Sequence, residues 1–308
     1  MRAAIAERQR GGALLIALVV VALASVLAVG LMERGQGSLA RTQALIDSER
    51  SYQYARGMEL LAADLLDDAL TGEVEPATLA GAWTPPFDVP GGMVQGRLLD
   101  QGARFNLTAL VHPDQALARA AFDQFERLLE MQGLDPVIAA ELADWMETGS
   151  VPRPGSVGDS WYAGQQPPYR TGGTALAHAS ELRWLRSVDG AAWERLQGLV
   201  TALPDRSRRF NINTMPPELL ASLFDEVSPA EARRVLADGP FGQVSALLEH
   251  PVLAGHARPG LERHLVVTSE WYLAQARVVL DGVERDYFRL MRLGGSGYDF
   301  RYFSQGTP

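Results

Sequence analysis

Gly12-Ala13-Leu14-Leu15-Ile16-Ala17-Leu18-Val19-Val20-Val21-Ala22-Leu23-Ala24-Ser25-Val26-Leu27-Ala28-Val29-Gly30-Leu31-Met32 decides the class of this chain, because no residue in it carries a charge. As a helix rising 1.5 Å per residue it is about 30 Å long, the hydrocarbon thickness of a bilayer. It is apolar around its whole circumference, whereas a surface helix of a globular protein keeps a polar face. Arg2, Arg8 and Arg10 precede it against Glu7, and the first charge after it is Glu33. The basic leader predicts a cytoplasmic N-terminus and an extracytoplasmic location for residues 33 to 308.

The pattern does not stop at the membrane. Leu39, Leu45, Ile46, Tyr52, Tyr54, Met58, Leu61, Leu65 and Leu66 continue at helical spacing with no proline before Pro76. The expectation is one helix from about Ala13 to Leu70, half in lipid and half in water. A cleaved secretory signal has a shorter apolar core and leaves nothing hydrophobic behind.

The remaining composition is that of a globular protein. The chain has 308 residues, 47% of them hydrophobic and 21% charged, with a formal net charge of −9. The absence of cysteine excludes zinc-finger, iron–sulfur and thiol chemistry, and all 28 basic residues are arginine. An acidic balance argues against sequence-independent binding to phosphate backbones, so no nucleic-acid partner is expected.

Past the helix, Thr71 to Pro90 reads as a connecting stretch rich in Gly and Pro, and Met93 to Leu99 as a short strand. Trp271 to Leu280 and Val283 to Leu293 alternate around Asp281-Gly282, a pair suited to the positive φ values of a type I′ turn, which predicts a hairpin. The block between is helical in pattern. Phe122, Phe125, Leu128 and Leu129 share a face, Asp135-Pro136 opens a helix through Trp145, and Ser180–Leu185 and Ala191–Leu203 also read as helices. Gly149 to Gly173 reads as a long loop. The fold class expected is α+β: a long N-terminal transmembrane helix packed on an antiparallel sheet, with a large all-α insertion.

Two segments echo each other, Ala103-Arg104-Phe105-Asn106-Leu107-Thr108 and Arg209-Phe210-Asn211-Ile212-Asn213-Thr214. Each reads as a chain turning out of extended structure, since Asn and Thr bond local backbone. Asn213 or Thr214 is expected to cap a helix whose first turn holds Pro216, Pro217 and Glu218. Ser228-Pro229-Ala230-Glu231 is a capping box.

The junction Arg8-Gln9-Arg10-Gly11-Gly12-Ala13-Leu14-Leu15 resembles the signal of type IV pilins and type II secretion pseudopilins. The resemblance implies cleavage by a prepilin peptidase after Gly11, or after Gly12, with methylation and retention of the apolar helix. Most of that family carry Glu at the fifth mature position, where it neutralises a neighbour's terminal amine. Here that residue is Ile16, or Ala17 with the other cut, neither of which can pair with an amine. This departure, together with the order and spacing of the later segments, is similar to the K-type minor pseudopilins of type II secretion systems.

The resemblance implies a non-enzymatic subunit of the inner membrane that caps the pseudopilus tip and promotes its assembly for protein export. It divides the chain into a leader (1–11), a membrane span (12–32), a periplasmic helix with first strands (33–109), a helical insertion (110–203) and a C-terminal part (204–308). It implies as partners the I- and J-type minor pseudopilins, the H-type and major pseudopilins, the prepilin peptidase, and secreted cargo or the secretin. Ala17, Ala22, Ala24, Ser25, Ala28 and Gly30 would permit close helix packing in the bilayer.

The stretch from Asp144-Trp145-Met146-Glu147 through Asp159, Pro167-Pro168-Tyr169-Arg170 and Glu181 resembles the family's calcium-bearing loop. The resemblance implies Ca²⁺ held by Asp144, Glu147, Asp159 and Glu181, since the ion takes six to eight oxygens in irregular geometry. Gly149 and Gly158 stand where the family pattern has acids, and Glu147 where it has Asp. The other reading is that these carboxylates are solvated charges or helix caps.

Residues 210 to 248 also resemble a helix-hairpin-helix repeat, which would make the chain a membrane-anchored DNA binder. The hairpin residues here are Phe224-Asp225-Glu226-Val227-Ser228, and two acids there repel phosphate. His250, His256 and His264 are not spaced for one helix face, and no catalytic motif accompanies them.

Overall fold

A computed structural model of the chain describes residues 3 to 71, 81 to 149, 151 to 294 and 297 to 306. One unbroken helix, α1 (Ala3–Thr71), runs for 69 residues, a length of about 100 Å. It begins ten residues before the expected Ala13, because residues 3 to 10 are mostly strong helix formers with no proline or cap to stop them. Met1 and Arg2 of the leader lie outside the described residues.

The sheet has five antiparallel strands in the order β1 (Phe87–Val89), β2 (Gly92–Asp100), β7 (Trp271–Leu280), β8 (Val283–Gly294) and β9 (Gly297–Gln305). The first of these lies inside the stretch expected to be only a connection, where Phe87-Asp88-Val89 pairs back onto Val94, Met93 and Gly92. Asp281 and Gly282 have φ of 48° and 80° and join Leu280 to its partner Val283, the two-residue hairpin expected. Alternate strand residues face the helix: Val94 and Leu98, then Tyr272, Ala274, Ala276, Val278 and Leu280, then Tyr287 and Met291. Ala55, Met58, Ala62, Ala63 and Leu66 of α1 meet them, the alanines letting the backbones come close. The connector is pinned on the other side of the strands, where Trp83 lies 4.6 Å from the Arg97 guanidinium carbon and 4.9 Å from that of Arg277.

β2 and β7 are neighbours in register from Gly92↔Leu280 to Asp100↔Tyr272, so everything from residue 101 to 270 is inserted between two adjacent strands. This head contains α2 (Gln115–Met131), α3 (Val137–Met146), α4 (Asp159–Ala163), α5 (Gly190–Leu196), α6 (Pro217–Leu223), α7 (Pro229–Ala237) and α8 (Val244–Leu248), with 3₁₀ turns at Leu107–Val111, Ala179–Trp184 and Leu261–His264. One apolar cluster runs from Phe105 to Leu265, so residues on both sides of position 203 share it.

The head is not purely helical. The echoed segments each contain a two-residue strand: β3 (Phe105–Asn106) pairs in parallel with β4 (Val200–Thr201), and β5 (Phe210–Asn211) with β6 (Leu265–Val266). The helix expected over Ala191–Leu203 therefore stops early. Gly198 breaks it, Val200 and Thr201 are β-branched, and the Leu199 carbonyl accepts the Phe105 N–H instead. The cap expected at Asn213 or Thr214 is also displaced. Pro216 is the N-cap of α6, without a side-chain bond, while Asn213 accepts from the Phe241 N–H and donates to the Phe241 and Val267 carbonyls. Ser228 and Glu231 do form the capping box of α7.

Candidate assembly site: the free rod, the neck and the head loop

From residue 12 to residue 46 no residue of α1 is buried, so about 50 Å of helix projects beyond the sheet. Its first part is long and apolar enough to cross a membrane. Gly12 lies within this rod, and Gly11 shares its helical backbone. Ile16 is 67% exposed, so the position that lacks an acid faces outward. Of the six small residues, Ala17, Ala24 and Ala28 recur at spacings of seven and four and share one face. Ala22 and Gly30 lie on other faces. Ser25 gives its hydroxyl proton to the Val21 carbonyl at 2.9 Å and asks nothing of a neighbour.

Above the lipid segment Leu39, Leu45 and Ile46 stay 72%, 72% and 49% exposed. Leu39 and Ile46, seven residues apart, share one face of the helix, and apolar residues left exposed together in water mark a surface that another element covers. The rod docks on the sheet from Asp47 onward. Arg50 donates to the Pro90 carbonyl at 2.6 Å, Arg285 donates to Ser51 Oγ at 3.2 Å, and Arg289 lies beside Glu59.

Where β2 enters the head, Asp100 is the hub. Its oxygens accept from the Gly102 N–H at 2.8 Å, Asn211 Nδ2 at 2.8 Å and Thr214 Oγ1 at 2.5 Å. Burial raises its pKa, while Thr214, Asn211 and Gly102 pull it back by bonding the carboxylate. Asn106 plays the matching part in the first echo, accepting from the Leu203 N–H and Thr108 and donating to the Ser207 carbonyl. The echo was visible in sequence. That its two asparagines are the buried joints of the neck depends on pairings across about 100 residues of chain and was not.

In the head loop the four candidate calcium ligands are not brought together. Asp144, 6% exposed, accepts from the Arg153 backbone N–H at 2.8 Å and from its guanidinium, and Glu147 accepts from the same guanidinium at 3.0 Å. Burial disfavours the Arg153 charge, but its bonds to Glu147 and Asp144 outweigh this and hold its pKa above the ordinary value. Asp159 accepts from the Thr171 N–H and hydroxyl, which lower its pKa. Glu181 accepts from the N–H groups of Ala177 and His178 as half of a capping box. Among the described residues no group of three or more His, Asp or Glu side chains is placed to hold a metal ion. The residues present therefore do not fit a calcium cage.

The helix-hairpin-helix segment folds as α6 and α7. Its loop acid Asp225 is paired with Arg258, and Glu226 takes a φ of 60°. His250 bonds Asp238 at 3.0 Å, and His178 caps a 3₁₀ turn.

Two family models, both described as type II secretion system protein K, match residues 103 to 205 and 210 to 268, which is to say the head. The type II secretion system protein K of Klebsiella pneumoniae is 33% identical over 306 residues, covering 94% of each chain. That of Pectobacterium carotovorum subsp. carotovorum is 28% identical over 310 residues, again with 94% of each chain covered. A chain of the solved GspK–GspI–GspJ complex of enterotoxigenic Escherichia coli is 25% identical, with a TM-score of 0.75 over 87% of this chain and 100% of that one. The fold is thus shared over the matched 87% of this chain. On this sequence and structural similarity, the chain belongs to the type II secretion system protein K family.

Proposed function

We propose that the chain is the K-type minor pseudopilin at the leading end of a pseudopilus, anchored in the inner membrane with its N-terminus cytoplasmic and its head in the periplasm. The observation that carries this reading is a bilayer-length apolar segment without a carboxylate, Gly12 to Met32, on a helix that continues into a sheet interrupted by a large inserted head. A buried acid in a bilayer persists only where it meets a partner charge. Ile16 stands where that acid would be, which suits a subunit with no neighbour ahead of it. The family's solved complex with GspI and GspJ supports I- and J-type pseudopilins as partners. The Ala17–Ala24–Ala28 face, continued upward by exposed Leu39 and Ile46, is the surface offered for their helices. The chain works as a structural subunit, and assembly of the tip promotes export of folded proteins.

The test is co-expression with the prepilin peptidase and the I- and J-type pseudopilins, followed by detergent purification and N-terminal sequencing. A membrane form that begins at Gly12 and co-purifies with both partners is expected. An intact Met1, or a processed chain that purifies alone, would overturn the reading.

A further inference from the structure

Asp144 and Glu147 sit one turn apart at the end of α3, facing the loop that starts at residue 151. Arg153 meets Asp144 twice, through its backbone N–H and its guanidinium, and reaches Glu147 with the other arm of the fork. One turn earlier on the same helix a second arginine repeats the device. Arg186 lies 2.8 Å from buried Glu141 and donates to the Gly155 carbonyl at 2.8 Å, while Ser187 fills the remaining sites of Glu141. The start of the loop is therefore held between two guanidinium groups. Its remainder closes on itself, with Asp159 bonding Thr171, the Gly173 N–H bonding the Trp145 carbonyl at 2.9 Å, and Tyr162 packed among Trp145, Trp161 and Tyr169.

We propose that Arg153 is itself the cation of this loop, taking the place between the helix-end carboxylates that a divalent ion would need, so that the head keeps its shape without calcium. A guanidinium presents fixed, forked donors that match two carboxylates. Calcium in the same place would need both Asp144 oxygens free and several more oxygen ligands converging. Those Asp144 oxygens are occupied, and Asp159 and Glu181 are turned to other donors. A guanidinium at the carboxylate pair also repels a second cation.

The experiment is thermal melting and limited proteolysis of the full chain in detergent, in excess EDTA and in millimolar CaCl₂. The same Tm is expected in both, whereas a calcium site filled a hundredfold above its Kd would separate them by about 5–10 °C. Arg153→Ala is expected to lower Tm and open residues 147 to 173 to protease, with no recovery on adding calcium. Arg153→Lys, which keeps the charge and loses the fork, should fall between. Equilibrium dialysis against ⁴⁵Ca covers the case in which the alanine variant does not fold. A Tm of the unaltered chain that rises with calcium, or stoichiometric tight calcium binding by it, would overturn the proposal.

Discussion

Arg289 Nε of β8 lies 3.2 Å from Glu59 Oε2 of α1, with their side chains 18% and 8% exposed. The pair joins the long helix to the sheet at mid-strand, in a position fixed by the packing of Met58, Ala62 and Tyr287 around it. Its geometry is that of a charge contact more than of a full hydrogen bond, since Glu59 Oε1 and Arg289 Nε make none among the described residues.

Removing one member leaves the other charge buried. Glu59→Leu or Arg289→Met alone is expected to destabilise the chain by about 3 kcal/mol, and the double variant to regain most of that loss. Denaturant melts of the four chains in detergent, arranged as a cycle, measure it. Additive losses would mean the pair does not couple helix to sheet.

Two glycines of β2 should respond differently to the same change. A Cβ on Gly92 would lie 1.8 Å from the Val279 carbonyl oxygen, which belongs to the neighbouring strand and cannot yield without parting the sheet. A Cβ on Gly96 would meet the Met58 methyl at 2.6 Å, the free end of a flexible side chain. Gly92→Ala should therefore lower Tm sharply, and Gly96→Ala by no more than about 1 kcal/mol equivalent. Thermal melting distinguishes them.

The neck depends on Asn211. Its truncation to alanine strips one donor from buried Asp100 and should cost about 2 kcal/mol. Asn213→Ala removes bonds to backbone groups that are only partly buried and should cost about half as much. Hydrogen exchange at Gly102 and Thr214 should speed up in the Asn211 variant alone.

Acid should weaken the head through His178. Burial lowers its pKa below the ordinary 6.5, with Glu181 opposing and Arg104 adding to the shift, and its Nδ1 accepts the Ser180 N–H. A histidine depressed in the folded state takes up its proton more readily when unfolded. Its contribution is complete above pH 6.5 and is lost as pH falls through the lower folded value. His264, depressed by burial, Arg208 and Arg263, acts with the same sign. Tm should therefore fall on acidification below about pH 6.5, and His178→Asn, which keeps a capping oxygen, should flatten part of that slope.

On the rod, Ala24→Leu thickens the Ala17–Ala24–Ala28 face, whereas Ala22→Leu thickens another. The first should reduce co-purification of I- and J-type pseudopilins several-fold, and the second should leave it unchanged. Equal loss in both would mean that no single face is used.

Local pattern alone determined the rod, the hairpin at Asp281-Gly282 and the capping box at Ser228. Hydrophobic run, turn chemistry and cap spacing act over a few residues, and no distant contact opposes them. The missing acid at Ile16 was equally legible, because it is a statement about one position. Tertiary structure decided the rest. Val200 and Thr201 left a helical pattern because Phe105 offered a strand edge nearly a hundred residues away. Asn213 gave up a cap for the Phe241 backbone. The four loop carboxylates, alike in sequence, parted company because Arg153, Thr171 and the Ala177–His178 backbone each supplied a nearer donor. A carboxylate's role follows from which positive group reaches it first, and that is a property of the folded chain.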